Sequence, residues 1–94
     1  MSESWKVLTD VIETPFLTVK FQSGPIKEHG VNGCHIEDVL RIALNRLNEH
    51  QKTEFACREN ALAITKIEES LHWLNHRTAE RIRQGVEGRD VKHV

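Results

Sequence analysis

The sequence predicts an α+β fold in which a short N-terminal antiparallel β-ribbon precedes an antiparallel hairpin of two helices. Apolar and polar side chains alternate over residues 16–22, as they do in a half-buried strand. Apolar side chains then recur every three or four residues over 35–51 and over 56–84, as they do in amphipathic helices. Only residues 52–55 join the two helical segments, and a link this short makes helices antiparallel neighbours.

The composition is that of one small domain spanning residues 1–94. Hydrophobic residues make up 38% and charged residues 29% of the chain, which is ordinary for a globular protein. The formal net charge of −1 argues against a general binder of DNA or RNA, because such proteins carry a large basic excess. No apolar run approaches the ~18 residues that span a bilayer, and the first residues lack a secretory signal pattern. We therefore expect a cytoplasmic protein that has no membrane partner.

The ribbon is predicted within residues 1–25. The run FLTVKFQ at 16–22 supplies its clearer strand. A weaker alternating run over 5–12 precedes it, and Pro15 separates the two. Ser23-Gly24-Pro25 then ends the second strand with typical turn residues. We expect the two runs to pair antiparallel and to pack on another element, because an isolated ribbon is only marginally stable.

A loop over residues 26–34 and a first helix over 35–51 follow. Asn32-Gly33 is a strong turn pair, and Asn32 is also a candidate helix cap. The helix carries an apolar stripe at helical spacing, formed by Ile36, Leu40, Ala43, Leu44 and Leu47. The stripe gives this helix one face that must be covered.

The second helix, predicted over 56–84, carries a narrow apolar seam. Its members recur at spacings of three and four, as in coiled coils: Ile64, Ile67, Leu71 and Leu74. Along the same face the seam reaches Asn60 at one end, and Thr78 and Arg81 at the other. At ~1.5 Å per residue this helix is roughly 40 Å long, against about 25 Å for the first helix, which therefore cannot cover the whole seam. Glycines in the tail, 85–94, end the helix.

Apolar side chains outside a single helix–helix contact indicate self-association. These side chains are Val39, Ile42, Leu62, Trp73 and Ile82. The ribbon can cover part of this surface, and monomeric proteins rarely leave large apolar patches exposed. We therefore expect a homo-oligomer with closed symmetry.

Two arginines one turn apart, Arg77 and Arg81, form a cationic pair near the end of the second helix. A guanidinium group suits phosphate because its planar fork donates two parallel hydrogen bonds. From spacing alone, a solvated face that pairs with Glu80 and other acids is the commoner interpretation. Asn60 lies about 25 Å from Arg77 along one straight helix, so the two can share a small ligand only if different subunits contribute them.

Other reactive side chains form no recognisable catalytic or metal motif. His72 and His76 have a spacing that can hold zinc, but the sequence offers no obvious third ligand and two solvated histidines are the simpler interpretation. Cys34 and Cys57 are expected to be reduced, partly buried thiols. Cys57 near His50 is only a remote candidate for nucleophilic catalysis. We expect no metal, no cofactor and no enzymatic activity.

Two long runs resemble a known family. FQSGPIKEHGVNGCHIEDVLRIALNRL and FACRENALAITKIEESLHWLNHRTAERIRQGVEG are similar to the helical-hairpin domain shared by phage anti-CBASS and anti-Thoeris sponge proteins. The resemblance covers residues 21–88. Its most distinctive parts are FACRENALA and the pattern RTxxRxxxGVEG. Strands before the helices make the chain more similar to the anti-Thoeris branch.

The resemblance implies roles for particular residues. In the anti-Thoeris branch an aromatic side chain stacks on the base, an asparagine ten positions later contacts the ligand, and two arginines hold its phosphates. The matching asparagine and arginines here are Asn60, Arg77 and Arg81. His50 stands at the aromatic position, where imidazole stacks less well. Secondary ligand-binding candidates within resembling motifs are Asn32, Arg58 and Thr78.

The resemblance also implies a function. Proteins of this kind bind cyclic nucleotide immune signals without cleaving them, so that a phage evades Thoeris or CBASS defence in the cytoplasm of the infected bacterial host. Their ligands include cyclic ADP-ribose isomers, cyclic dinucleotides and, in some members, cyclic trinucleotides. The implied assembly is a homohexamer with pockets between subunits. A helical protein–protein interaction module and a small phage regulator that binds nucleic acid remain the alternatives.

Overall fold

A computed structural model describes residues 9–85 and has the predicted α+β class. Two strands come first and helices follow. The elements in chain order are β1 (Val11–Thr14), β2 (Leu17–Lys20), α1 (Ile26–His29), α2 (Ile36–Gln51) and α3 (Arg58–Arg83). The two long helices lie within one to two residues of their predicted bounds at each end. The described part of the tail is Gly85 alone.

β1 and β2 form an antiparallel hairpin closed by Pro15 and Phe16. Ile12 pairs with Val19 and Thr14 with Leu17, so these side chains share one largely apolar face. The prediction that the first strand ends at residue 12 is wrong, because pairing continues to Thr14. Pro15 lies in the turn, where its missing N–H costs no ladder hydrogen bond. Residues 5–8 of the predicted strand lie outside the described residues.

The chain runs back beside β2 at an isolated parallel bridge between Phe21 and Cys34. The Gln22 N–H donates to the Cys34 carbonyl at 2.8 Å, and the Cys34 N–H donates to the Lys20 carbonyl at 2.8 Å. Gly33 fits here because a Cβ at this position would overlap the Phe21 carbonyl. The prediction that Gly33 serves a turn with Asn32 is therefore wrong. Gly33 has no positive φ, and a glycine is required at this position because the Phe21 backbone approaches closely.

The predicted loop over 26–34 contains a single helical turn, α1, that the sequence pattern missed. Gly30 ends this turn with φ 70°, and its N–H donates to the Ile26 carbonyl at 2.8 Å. The Gln22 amide nitrogen donates to the Gly30 carbonyl at 2.8 Å and to the Gly24 carbonyl at 3.1 Å. These hydrogen bonds join residues far apart in the loop. Local periodicity in the sequence does not predict such contacts.

A hydrogen-bonded connection joins α2 to α3. The Gln51 side chain accepts the Cys57 N–H at 3.0 Å and donates to the Cys57 carbonyl at 3.0 Å. The Thr53 hydroxyl donates to the His50 carbonyl at 2.7 Å and accepts the Phe55 N–H at 3.1 Å. The connection is therefore fixed by side chains from within it and from the last turn of α2.

α3 ends at the glycine that the sequence predicts as a stop. Gly85 has φ 75°, and its N–H donates to the Ile82 carbonyl at 3.0 Å. A left-handed glycine after the last turn satisfies carbonyls that a helix end leaves unpaired.

The predicted seam of α3 is the half-buried face of that helix. The half-buried residues include all its predicted members: Asn60, Ile64, Ile67, Leu71, Leu74, Thr78 and Arg81. Of the apolar residues predicted to lie outside a single helix–helix contact, four are exposed and Val39 is half-buried. The exposed ones are Ile42, Leu62, Trp73 and Ile82. None of residues 9–85 is fully buried, so the described part of one chain has no closed apolar core.

Contacts within the chain divide the described residues into two compact units. One unit spans residues 36–77 and holds α2 with most of α3. The other holds residues 9–35, with the ribbon and α1, together with residues 78–85. Within residues 9–85, no helix has both the length and the apolar character needed to cross a membrane.

Candidate ligand-binding site

Arg77 is exposed on α3 and has no hydrogen-bond or ion-pair partner in the described part of the chain. Three other arginines each pair with an acid one turn away on their own helix. These pairs are Arg41–Asp38 at 3.7 Å, Arg46–Glu49 at 3.9 Å and Arg83–Glu80 at 2.8 Å. Arg77 is therefore exposed, as a solvated face requires, but the acid partner expected from spacing alone is absent within residues 9–85.

Glu80 is the acid that follows Arg77 at i+3, and it is engaged by Arg83. The Arg83 guanidinium donates to both Glu80 oxygens, with Nη2–Oε1 at 2.8 Å and Nε–Oε2 at 3.1 Å. The hydrogen bonds and the charge of Glu80 raise the pKa of Arg83 above its ordinary value. A two-pronged arginine–carboxylate contact is the stronger geometry for such a pair. Glu80 is therefore paired with Arg83, and no contact joins it to Arg77 in the described residues.

Arg81 lies one turn after Arg77 on α3 and is half-buried at the end of the seam. Side chains at i and i+4 lie on neighbouring parts of a helix surface. The structure shows that both arginines of the predicted pair belong to one continuous helix. Thr78, a secondary candidate, is also half-buried on the seam.

Asn60 lies in the first turn of α3, and its side chain makes no hydrogen bond within the described residues. Its backbone N–H donates to the Cys57 sulfur at 3.4 Å, so the thiol acts as the helix cap. Seventeen residues separate Asn60 from Arg77, which is about 25 Å along the helix. One chain therefore does not bring Asn60 and Arg77 together around a small ligand.

His50 and Arg58 flank the connection between α2 and α3. His50 is half-buried in the last turn of α2, and its carbonyl accepts hydrogen bonds from Thr53. Arg58 begins α3, is exposed, and has no ion-pair partner among the described residues. A cation at the positive end of a helix dipole is electrostatically unfavourable. Arg58 is therefore placed where local helix stability does not explain its charge.

Asn32 has a structural use that the sequence did not reveal. Its side-chain oxygen accepts the Ser23 N–H at 2.8 Å, and its side-chain nitrogen donates to the Ser23 carbonyl at 2.9 Å. The Asn32 N–H also donates to the Gln22 side-chain oxygen at 3.0 Å. The Asn32 amide thus binds the Ser23 backbone across the loop. The prediction that Asn32 caps the following helix is wrong.

Trp73 is an exposed aromatic residue of α3 that the sequence pattern assigns to a self-association surface and not to the ligand site. Its side chain is 64% exposed. The rings of His72 and His76 contact it edge-on, at centroid distances of 5.4 and 5.8 Å. Among residues 9–85, no three or more His, Cys, Asp or Glu side chains cluster as a metal site would require. In the sequence, its one distinguishing feature is that an aromatic residue lies on the polar face of α3, four residues before Arg77.

The two cysteines are free thiols, Cys34 half-buried and Cys57 exposed. The expectation that both are partly buried is thus wrong for Cys57. An open depression near the end of α2 is lined by Asn45, Asn48, Glu49, Gln51 and Lys52. None of the predicted ligand residues lines it.

The candidate site residues can donate hydrogen bonds to oxyanions. The donors are Arg77, Arg81 and the Asn60 amide.

Comparisons with known proteins identify the family of this chain and a phage relative. A family model described as the hairpin domain of Acb2/Tad1 matches residues 13–79. A protein of Bacillus phage SBSphiJ7 named Thoeris anti-defense 1 is 57% identical over 75 residues. That match covers 80% of this chain and 53% of the relative, so the chain spans about half the length of the curated relative it matches.

Proposed function

This chain belongs to the Acb2/Tad1 hairpin-domain family, and we propose that it sequesters cyclic nucleotide immune signals without cleaving them. The signals in question are cyclic ADP-ribose isomers and cyclic di- and trinucleotides. The name of the phage relative, Thoeris anti-defense 1, supports a role against Thoeris defence. By this proposal the chain acts in the cytoplasm of an infected bacterial host, as a trap and not as an enzyme.

The observation that carries this proposal is the state of Arg77. It is an exposed guanidinium without an acid partner in the described residues, while Arg41, Arg46 and Arg83 each have one. An arginine left unpaired in this way is ready to donate two hydrogen bonds to a phosphate group. In the proposed complex Arg77 and Arg81 hold the phosphates, and Asn60 contacts the ligand from another subunit.

The secondary site residues have less support. The dual engagement of the Asn32 amide by Ser23 favours a structural role for that residue. Arg58 and Thr78 remain ligand candidates, since Arg58 is unpaired in the described residues and Thr78 lies one residue after Arg77. His50 remains a ligand candidate because it stands at the family's aromatic position.

The affinity that a trap requires makes self-association part of the proposal. A dissociation constant near 1 nM corresponds to about −12 kcal/mol. Charge-assisted hydrogen bonds contribute roughly 1.5–3 kcal/mol each, so the two arginines and Asn60 fall short by themselves. The rest requires an enclosed pocket, and no described residue of one chain is fully buried. We therefore propose a homo-oligomer, a hexamer by family resemblance, in which antiparallel helical hairpins from different copies enclose the ligand.

A trap-and-release experiment tests the function. The purified protein is incubated with a panel of cyclic di- and trinucleotides and cyclic ADP-ribose isomers, and free ligand is removed by filtration. The protein is then denatured by heat, and the released compound is identified by chromatography. We expect one intact cyclic species. A linear product would identify an enzyme, and an empty release across the panel would refute sequestration.

A protein–protein interaction module is the second candidate, because many apolar side chains of the long helices are exposed. Examples are Ile42 in α2, and Trp73 and Ile82 in α3. Such a module would use these surfaces and leave the arginines solvated. The double variant Arg77→Ala/Arg81→Ala separates the candidates: it keeps the biological effect if the module interpretation is correct, and loses it if the chain is a trap.

A further inference from the structure

Trp73 presents the largest aromatic surface on the exposed side of α3. Its indole is 64% exposed, although tryptophan is usually buried to a large extent. His72 and His76 contact the ring edge-on, with interplanar angles of 75° and 82°. Both histidine rings are thus nearly perpendicular to the indole, and most of the Trp73 side chain stays accessible to another molecule.

Arg77 follows Trp73 by four residues, and both belong to the compact unit of residues 36–77. Side chains at i and i+4 on a helix are separated by about 5–6 Å between their Cβ atoms. An open aromatic ring and an unpaired guanidinium group are thus neighbours on one turn of one helix. A nucleotide has the matching features, because its sugar holds a flat base on one side and a phosphate on the other.

We propose that Trp73 is the base-stacking residue of the site in which Arg77 binds phosphate, and that it sets the preference for ligands that carry a nucleobase. This inference rests on the proposed function. The base lies against the indole face, and the neighbouring phosphate accepts hydrogen bonds from Arg77. Every base has a π-face, so this contact selects for nucleotides over other phosphates.

His50, at the family's aromatic position, is the competing choice for this role. It is half-buried and carries a smaller ring, whereas Trp73 is exposed and lies one turn from the phosphate-binding arginine. The four-residue spacing fixes Trp73 beside Arg77 within a single chain, with no assumption about the assembly. Trp73 therefore offers a surface for base stacking, which His50 provides less well than an aromatic residue at the same position would.

The test compares ligand affinity across matched variants of the full chain. Trp73→Leu keeps apolar volume and removes the π-face, while Trp73→Phe keeps a smaller π-face. Phe55→Leu is the matched control, since Phe55 is 69% exposed in the same unit. The probes are cyclic ADP-ribose and cyclic di-AMP, with ribose 5-phosphate as a competitor that lacks a base.

We expect Trp73→Leu to weaken binding of the retained cyclic probe by about 5- to 150-fold, the range that base stacking supplies. Trp73→Phe should recover most of that loss, and Phe55→Leu should bind like the unchanged protein. Binding of ribose 5-phosphate should not change in Trp73→Leu. Retention of full affinity by Trp73→Leu, or a large loss in His50→Ala alone, would overturn the assignment to Trp73.

A second measurement covers the case in which Trp73→Leu does not fold or changes its assembly. The sequence has two tryptophans, so Trp5→Phe leaves Trp73 as the single fluorophore. Saturable quenching by the cyclic probe supports stacking, and an unchanged spectrum at saturation overturns it. If the unchanged protein retains none of the nucleotide panel, the proposed function fails and this inference fails with it. If it binds while Trp73→Leu binds equally well, only the inference fails.

Discussion

The absence of a partner in the described residues is the residue-level property that distinguishes Arg77 from three other helical arginines. Arg41, Arg46 and Arg83 each have an acid at i±3, whereas Arg77 has no partner in the described residues. Exposed ion pairs contribute little to stability. Under the proposed function, Arg77 has no acid partner because it binds a phosphate instead.

Arg77→Ala should lower affinity for the retained cyclic nucleotide by roughly 10- to 150-fold, because a charge-assisted contact is worth about 1.5–3 kcal/mol. Isothermal titration would measure the change. Arg46→Ala is the control, since Arg46 is also an exposed helical arginine but is paired with Glu49. Equal losses in both variants would indicate a general charge effect, which contradicts a specific phosphate contact.

Asn32→Ala should reduce stability and leave ligand affinity unchanged. The variant loses two partly buried hydrogen bonds to the Ser23 backbone, and leaving those groups unpaired costs about 1–3 kcal/mol. Chemical denaturation gives the free energy of unfolding, and titration below the transition gives the affinity. Normal stability together with lost binding would contradict this prediction and indicate that Asn32 contacts the ligand.

At the level of elements, the long helices were predicted well from their periodic sequence, whereas the single turn of α1 was not predicted. The seam of α3 was predictable because Ile64, Ile67, Leu71 and Leu74 repeat at helical spacing over several turns. Helix α1 was missed because one turn has no period, and contacts from Gln22 and the backbone of Gly30 determine it. The arginine pair was visible in sequence, but the absence of an acid partner for Arg77 within residues 9–85 required the structure.

The connection between α2 and α3 provides a test of element stability. Gln51→Ala should lower the free energy of unfolding by about 1–2 kcal/mol, since it removes two exposed hydrogen bonds to Cys57. Urea denaturation measures the change. Asn48→Ala, an exposed amide on the same helix, is the control and should have little effect. A smaller loss for Gln51→Ala than for Asn48→Ala would show that the connection does not depend on this side chain.

At the scale of the whole molecule, shallow burial is the dominant feature. None of residues 9–85 is fully buried, while Phe16 is 100% exposed. A chain of this length has little margin of stability even with a closed core. We therefore expect folding to be coupled to association.

Coupling predicts that the thermal midpoint rises with protein concentration, because association stabilises the folded state by mass action. Thermal unfolding at micromolar and hundred-micromolar chain concentrations would measure it, and light scattering would give the mass of the assembly. A single-chain mass with a concentration-independent midpoint would contradict the oligomer. Addition of the retained nucleotide should raise the midpoint further.

The pair between Arg83 and Glu80 has a consequence under the proposed function. Glu80 stands at i+3 from Arg77, so the chain carries its own carboxylate next to the proposed phosphate contact. The Arg83 guanidinium donates hydrogen bonds to both oxygens of that carboxylate. We expect titration of Arg83→Ala to show weaker nucleotide binding, because Glu80 would then compete with the phosphate as an intramolecular inhibitor. By this prediction Arg83 tunes the affinity for a ligand that it does not contact.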